Sequence, residues 1–211
     1  MEHNTIEAYQ QSLTQALLQG YMPEEDIDKA LAELQWEILS YSGSFSLVYR
    51  SPCKKYALRV GYKYKYGMVD CQEYHACNAI FNEGNPYFPK IYWHVHSIHR
   101  NTDEDSISLT LMEVLTELKP KDDLSDYKII MESIYNFEEI HLHNNVYKNI
   151  HLAKALFSIS QILDEFEIDL DIGEYQKDNI NDNILRRKNG EIVITDPYFL
   201  DTFDHEELGA F

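Results

Sequence analysis

The chain has 211 residues, 44% of them hydrophobic and 13% aromatic, and its formal net charge is −18 at pH 7. That composition gives a globular core and excludes a disordered chain, and no apolar run approaches the roughly 18 residues a membrane helix needs. The charge disfavours direct binding of nucleic acid, whose phosphates need a basic surface; it suits solubility, a partner with a basic surface, or mimicry of a nucleic acid. The opening stretch MEHNTIEAYQQ has no basic segment followed by an apolar one, so no secretory signal is expected. Cys53, Cys71 and Cys77 form no CxxC pair, and reduced thiols in a cytoplasmic protein are the economical reading.

Residues 5–19 place Ile6, Tyr9, Leu13, Ala16 and Leu17 on one helical face, and Gly20 ends that segment. Pro23 opens a second helix, PEEDIDKALAELQWEIL, with acids in its first turn. Residues 44–61 change period: FSLVYR and KYALRVG, separated by Ser51-Pro52, predict a β-hairpin. MVDCQEYHACNAIF, residues 68–81, returns to helical spacing. FPKIYWHVHSIH and SISLTLMEVL predict two more strands, with NTDED between them as an exposed turn. Asp122 to about Phe166 is mostly helical in pattern. The loop DNINDN, the strand NILRR, a KNG turn and the strand EIVITD follow. No internal repeat or low-complexity segment occurs. The expected class is therefore α+β: a helical lead-in over 1–35, an antiparallel β-rich part with one helix over 36–116, and a helical part over 117–211 that carries a small hairpin.

Three segments far apart in sequence have complementary chemistry. In YSGSFSLVYR, little side-chain bulk at Gly43, Ser44 and Ser46 lets backbone N–H groups approach a phosphate. In DNINDNIL, the Asp178 carboxylate can accept or orient a hydroxyl proton, and the Asn183 carboxamide oxygen can ligate a hard metal ion. In ITDP, Asp196 ends an apolar strand one short hairpin after Asn183, so both can point to the same end of that hairpin. Each segment read singly is also an ordinary turn. KKYALRVGYKYKY, residues 54–66, adds local positive charge at Lys54, Lys55, Arg59, Lys63 and Lys65, as a small anionic site requires.

The order G-S-F-S-x-V-Y, A-L-R-V, L-M-E-V-L, D-x-x-x-x-N-I-L and I-T-D-P resembles the eukaryotic-type protein kinases, and among them the early host-shutoff serine/threonine kinases of T-odd lytic bacteriophages. The similarity covers roughly residues 36 to 200. It implies a two-lobed protein kinase-like fold with an antiparallel β-rich N-lobe and a short, truncated helical C-lobe. It further implies ATP and Mg2+ as ligands and a host protein as substrate or target. Gly43, Ser44, Phe45 and Ser46 would then belong to the loop over the nucleotide phosphates. Asp178 would orient the acceptor hydroxyl, and Asn183 and Asp196 would be the magnesium ligands. Met112, Glu113 and Leu115 would meet adenine through hinge backbone groups. Arg59 would be the strand cation, with Glu73 as its partner and Asp70 as the alternative.

The sequence departs from the family at several positions. The strand that usually reads A-x-K is Ala57-Leu58-Arg59, and arginine for lysine is not a conservative exchange; Lys63 and Lys55 are nearby alternatives. Gln176 stands where a histidine usually precedes the catalytic-loop aspartate, and Ser46 replaces the third loop glycine. The stretch after Asp196 is short, which leaves substrate recognition to residues 117–150 or to the N-terminal helices. A catalytically inactive, kinase-like acidic protein that inhibits a host nucleic-acid enzyme or defence protein is the other reading. His94 and His96 share a strand face but lack a fourth ligand and read as packed or surface residues.

Overall fold

The computed structural model of the chain describes residues 6–17, 24–40, 46–62, 64–65, 68–69, 78, 83–97, 107–119, 124–135, 149–166 and 184–195. The class is α+β, with four helices among the described residues and antiparallel pairing throughout their strands. No helix among them is long and apolar enough to cross a membrane. They fall into two compact units, one from within Met1–His75 and Ile91–Val114, the other from within Ala76–Lys90 and Leu115–Leu200.

The first unit starts with α1 (Ile6–Leu17) and α2 (Glu24–Glu33). The 3.6-residue spacing of α1 turns Tyr9, Leu13 and Leu17 inward, as the sequence predicts. The predicted second helix is too long: it stops at Glu33, and Glu37–Ser40 is a strand, β1. The stop is a Schellman motif. Gln35 N–H donates to Ala32 O (2.9 Å), Trp36 N–H donates to Leu31 O (2.9 Å), and Gln35 takes the left-handed conformation at φ 63°. Leu31 and Trp36 then share the buried core, which is the apolar contact such a cap favours.

β2 (Ser46–Arg50) and β3 (Tyr56–Tyr62) form the predicted hairpin, with Val48 opposite Arg59. At its turn Lys54 N–H donates to Ser51 O, and Ser51 N–H donates to Tyr56 O. The short strands β4 (Tyr64–Lys65) and β5 (Met68–Val69) pair with each other. The helix predicted over 68–81 is thus wrong at its first two residues. Asn78 is helical, and the rest of that segment lies outside the described residues. β6 (Ile91–Ser97) and β7 (Ile107–Glu113) complete a five-stranded sheet of order β1-β2-β3-β7-β6.

One face of this sheet is apolar. Leu47, Tyr49, Leu58, Val60, Ile107, Leu109 and Leu111 form a single core with Tyr9, Leu13, Leu17, Ile27, Leu31 and Trp36 of the helical layer. The helical lead-in and the sheet are therefore one packed body. Edge-to-face rings, Tyr9 on Trp36 at 5.3 Å and Tyr9 on Tyr56 at 5.8 Å, add to area burial. The buried Tyr49 hydroxyl donates to the Asp28 carboxylate of α2.

The second unit contains α3 (Ser125–Tyr135), α4 (Ile150–Phe166) and a three-stranded sheet of order β10-β9-β8. In it β8 is Thr116–Glu117, β9 is Ile184–Arg186 and β10 is Ile192–Ile194. β8 has no apolar alternation and was not expected. α3 and α4 pack together and bury Tyr127, Ile130, Met131, Leu152, Ala155, Leu156 and Ile159. Asn149 caps α4: its Oδ1 accepts the N–H groups of His151 and Leu152, both at 3.2 Å. β9 and β10 meet at Lys188-Asn189-Gly190, as predicted. Gly190 (φ 94°) donates to Arg187 O, and Arg187 N–H donates to Glu191 O. This three-residue loop needs a left-handed residue at its end, hence the glycine.

The α2 cap yields a stability test. Gln35 holds a conformation that costs a residue with a side chain roughly 1 kcal/mol relative to glycine. Gln35→Gly should stabilise the protein by about that amount, read as a rise in the urea midpoint at unchanged m-value. A fall in the midpoint would show that the Gln35 side chain contributes more than the backbone conformation costs.

Candidate functional site

Side-chain alternation leaves a second face on the five-stranded sheet, away from the helical layer. It carries Ser46 and Val48 from β2, Ala57, Arg59 and Gly61 from β3, Ser108, Thr110 and Met112 from β7, and His94 from β6. Val48, Arg59, Thr110 and His94 form one row across four strands. His94 Nδ1 lies 2.8 Å from Thr110 Oγ1. Arg59 is 5% exposed, and Thr110 and Ser108 are fully buried. The next row is Ser46, Gly61 and Ser108, in which Ser108 Oγ has no hydrogen-bond partner. A guanidinium at this depth demands polar or anionic company, and Arg59 is engaged.

The structure brings three of the sequence-predicted residues, Ser46, Arg59 and Met112, onto this one face. Glu113 is opposite Tyr56 on the other face. Burial raises the Tyr92 pKa, and the Glu113 charge adds to that. Leu115 is half-buried and begins the second unit. Lys55 is in the exposed β2–β3 turn and so is no substitute for Arg59. His94 is a packed histidine. Gly43, Ser44, Phe45, Lys63, Asp70, Glu73, Gln176, Asp178, Asn183 and Asp196 lie outside the described residues. Among the described residues no group of three or more His, Cys, Asp or Glu side chains could hold a metal ion.

In the second unit the β9–β10 hairpin pairs Ile184 with Ile194. Ile184 and Ile194 therefore lie at one end of the hairpin. The hairpin is fastened to the segment Asn85–Phe88. Arg187 donates from Nη1 to Pro86 O and from Nη2 to Phe88 O (2.9 Å), and Ile194 N–H donates to Tyr87 O (2.8 Å). The same segment holds the start of α4. Asn149 Nδ2 donates to the Tyr87 hydroxyl (2.5 Å), and Asn85 Nδ2 donates to His151 O (3.1 Å). Sequence reading missed this fastening, because Arg187 reads only as the end of a strand.

No protein-family model matches the chain, and no curated protein sequence matches it. Function is therefore inferred from the side chains and the topology.

A second cluster missed in the sequence surrounds Cys53. Burial raises its pKa, but hydrogen bonds from the Ser51 and Tyr9 hydroxyls and the Lys55 amide, with the Lys55 charge, hold the thiol below its ordinary 9.0. Ser51 Oγ is 3.4 Å from the sulfur. Tyr9 moves the other way, pushed up to about 12 by burial and then by its bond to Cys53. A tyrosine raised above its unfolded value of 10.0 stabilises the fold fully below that pH. The contribution is lost as pH climbs toward the folded value. Stability should thus decline between pH 10 and about 12, and Tyr9→Phe should lessen that decline. Urea midpoints across the alkaline range test this, and an equally steep decline in Tyr9→Phe would rule Tyr9 out as its source.

Proposed function

We propose that the chain has a two-lobed protein kinase-like fold and is an ATP- and magnesium-dependent serine/threonine kinase of the phage type, acting on a host protein. The observation that carries this reading is Arg59, a permanent cation only 5% exposed on the central strand of an antiparallel sheet, facing away from the helical layer. In the resembled family the cation that meets the nucleotide phosphates stands on the third strand of such a sheet. The five-stranded sheet has the order β1-β2-β3-β7-β6, with β3 at its centre. Around Arg59 on the same face, Ser46, Ala57 and Gly61 add little side-chain bulk, and Val48 and Met112 supply apolar side chains.

In this reading Arg59 and the backbone of the Gly43–Ser46 loop neutralise phosphate charge, with Glu73 or Asp70 orienting the guanidinium. Asn183 and Asp196 would hold magnesium, which would supply positive charge to the nucleotide phosphates. Asp178 orients the acceptor hydroxyl and takes its proton. The hydroxyl oxygen bonds to the γ-phosphorus as the bond to the departing ADP breaks. Backbone groups of Met112, Glu113 and Leu115 meet the adenine.

Two observations favour the second reading, an inactive kinase-like binding protein: arginine replaces the usual lysine, and the net charge of −18 suits a basic partner such as a host nucleic-acid enzyme or defence protein.

Radiolabelled ATP and magnesium, added to the purified protein with bacterial host lysate, test the proposal. The wild type should label a host protein. Asp196→Ala should cut labelling by about 100-fold, a usual loss for a group that stabilises transferred charge. Arg59→Lys should retain labelling, and Arg59→Leu should lose it. No label, together with no thermal shift on adding magnesium and ATP, would reject the enzyme. An undiminished effect of Asp178→Ala on a host partner would select the binding protein.

A further inference from the structure

We infer that the outer face of α4 is a docking site for an amphipathic helix of another protein, one that presents an acidic side chain between two apolar ones. The inference stands apart from the kinase reading. Ile150 and Phe157 are large apolar side chains left 59% and 62% exposed. They lie seven residues apart on α4, which is two turns, so they share one face about 10 Å apart along the axis. The inward face of the same helix carries Leu152, Ala155, Leu156 and Ile159, all buried, and the outer pair stands outside that core.

Exposed apolar side chains beside a groove mark an interaction surface. A groove of about 520 Å³ runs between α4 and residues 83–85, both in the second unit. Glu83, Gly84 and Asn85 line one wall, and His151, Lys154 and Phe157 line the other. The walls are tied together. Asn85 Nδ2 donates to His151 O (3.1 Å), and Asn85 Oδ1 accepts the Tyr87 N–H (3.0 Å). Gly84, at φ 83°, leaves its side of the groove open, since even a Cβ there would meet nothing within 4 Å. A partner helix therefore meets a preformed groove and spends little free energy on ordering it.

Charge selects the occupant. Lys154 is exposed on the same face, four residues after Ile150 and three before Phe157. The residues three and four away from it along the helix are Ile150, His151, Phe157 and Ser158, none of them acidic. Among the described residues no carboxylate pairs with the Lys154 ammonium, that of Glu83 included. The chain holds 36 acidic residues against 18 Lys and Arg, so a lysine kept clear of carboxylates is available to one from outside. Glu83, across the groove, repels a second acid and confines the partner's carboxylate to Lys154. A helix with apolar residues at i and i+7 and an acid at i+3 or i+4 matches this arrangement. A second copy of the chain does not: a two-fold pairing of α4 faces about Lys154 sets two ammonium groups together. A small carboxylate is too short to reach both Ile150 and Phe157.

The test uses an alanine-rich helical peptide with two leucines seven residues apart and a glutamate midway, and a twin with lysine in place of the glutamate. Each is titrated into the isotope-labelled full-length protein while amide chemical shifts are followed. The glutamate peptide should shift amides of residues 83–85 and 150–158 and bind several-fold more tightly than its twin. Lys154→Glu should reverse that preference. Phe157→Ala should weaken both peptides by about tenfold, the loss expected of an aromatic anchor, with a nearly unchanged urea midpoint because the ring is 62% exposed. Equal binding of the two peptides, binding of neither, or shifts confined to other parts of the chain overturns the inference. So does an unreversed preference in Lys154→Glu. If Phe157→Ala does not fold, the ring belongs to the core and the docking site loses its anchor, which also overturns the inference.

Discussion

A one-residue slip of β3 would drive the Arg59 guanidinium into the hydrocarbon layer and bring Leu58 and Val60 out of it. That exchange is the constraint on which the first unit depends. Leu58 and Val60 are fully buried against the helical layer, and Arg59 lies between them in sequence. With a side-chain period of two, putting both apolar residues in the core leaves Arg59 only the opposite face. The same register sets Arg59 beside Val48 and Thr110, and through Thr110 beside His94. Fold and site are in this sense one choice: the apolar contacts that stabilise the sheet are also what hold the cation on its second face.

The second unit depends on a different kind of constraint, the satisfaction of backbone groups. The segment Asn85–Phe88 has no ladder of its own, yet Phe88 is 1% exposed. Its carbonyls would be costly to bury unpaired. They are paired by residues about a hundred positions later, in the hairpin, while Asn149 and His151 engage the other side of the segment. Tyr87 joins both sets: its carbonyl accepts from Ile194 and its hydroxyl from Asn149. Burial, with the Asp126 charge behind it, raises the Tyr87 pKa, and the phenol, protonated near neutral pH in any case, serves as a hydrogen-bonding post.

What the sequence revealed follows from this difference. α1 was legible because its apolar residues recur at helical spacing, and the β2–β3 hairpin because FSLVYR and KYALRVG bracket Ser51-Pro52. Arg59 was legible as one of five cations in KKYALRVGYKYKY and as the strand cation that the resemblance implies. β1 was hidden because WEIL continues the spacing of α2 and the left-handed cap falls on Gln35, with no glycine to mark it. The Thr110–His94 contact was hidden because it depends on β6–β7 register, which shifts between Ile91 and Trp93. The role of Arg187 was hidden because its partners are main-chain carbonyls. Any residue type supplies those, so nothing in Pro86-Tyr87-Phe88 announces an arginine partner. Local periodicity was readable, and long-range backbone pairing was not.

The arginine at position 59 has a physical logic that bears on both functional readings. A lysine buried to 5% exposure can shed its proton and its charge, since burial penalises the ammonium. An arginine cannot, so its charge persists whatever else packs on that face. In a chain of net charge −18, a permanent cation at the middle of a sheet is a local focus for anions that the rest of the molecule repels. An acidic binding protein could keep its charge on the outer surface and fill position 59 with an apolar residue at lower desolvation cost. The sheet retains a buried guanidinium, flanked by Ala57 and Gly61 rather than by bulky side chains, at a desolvation cost that fixed polar company must offset.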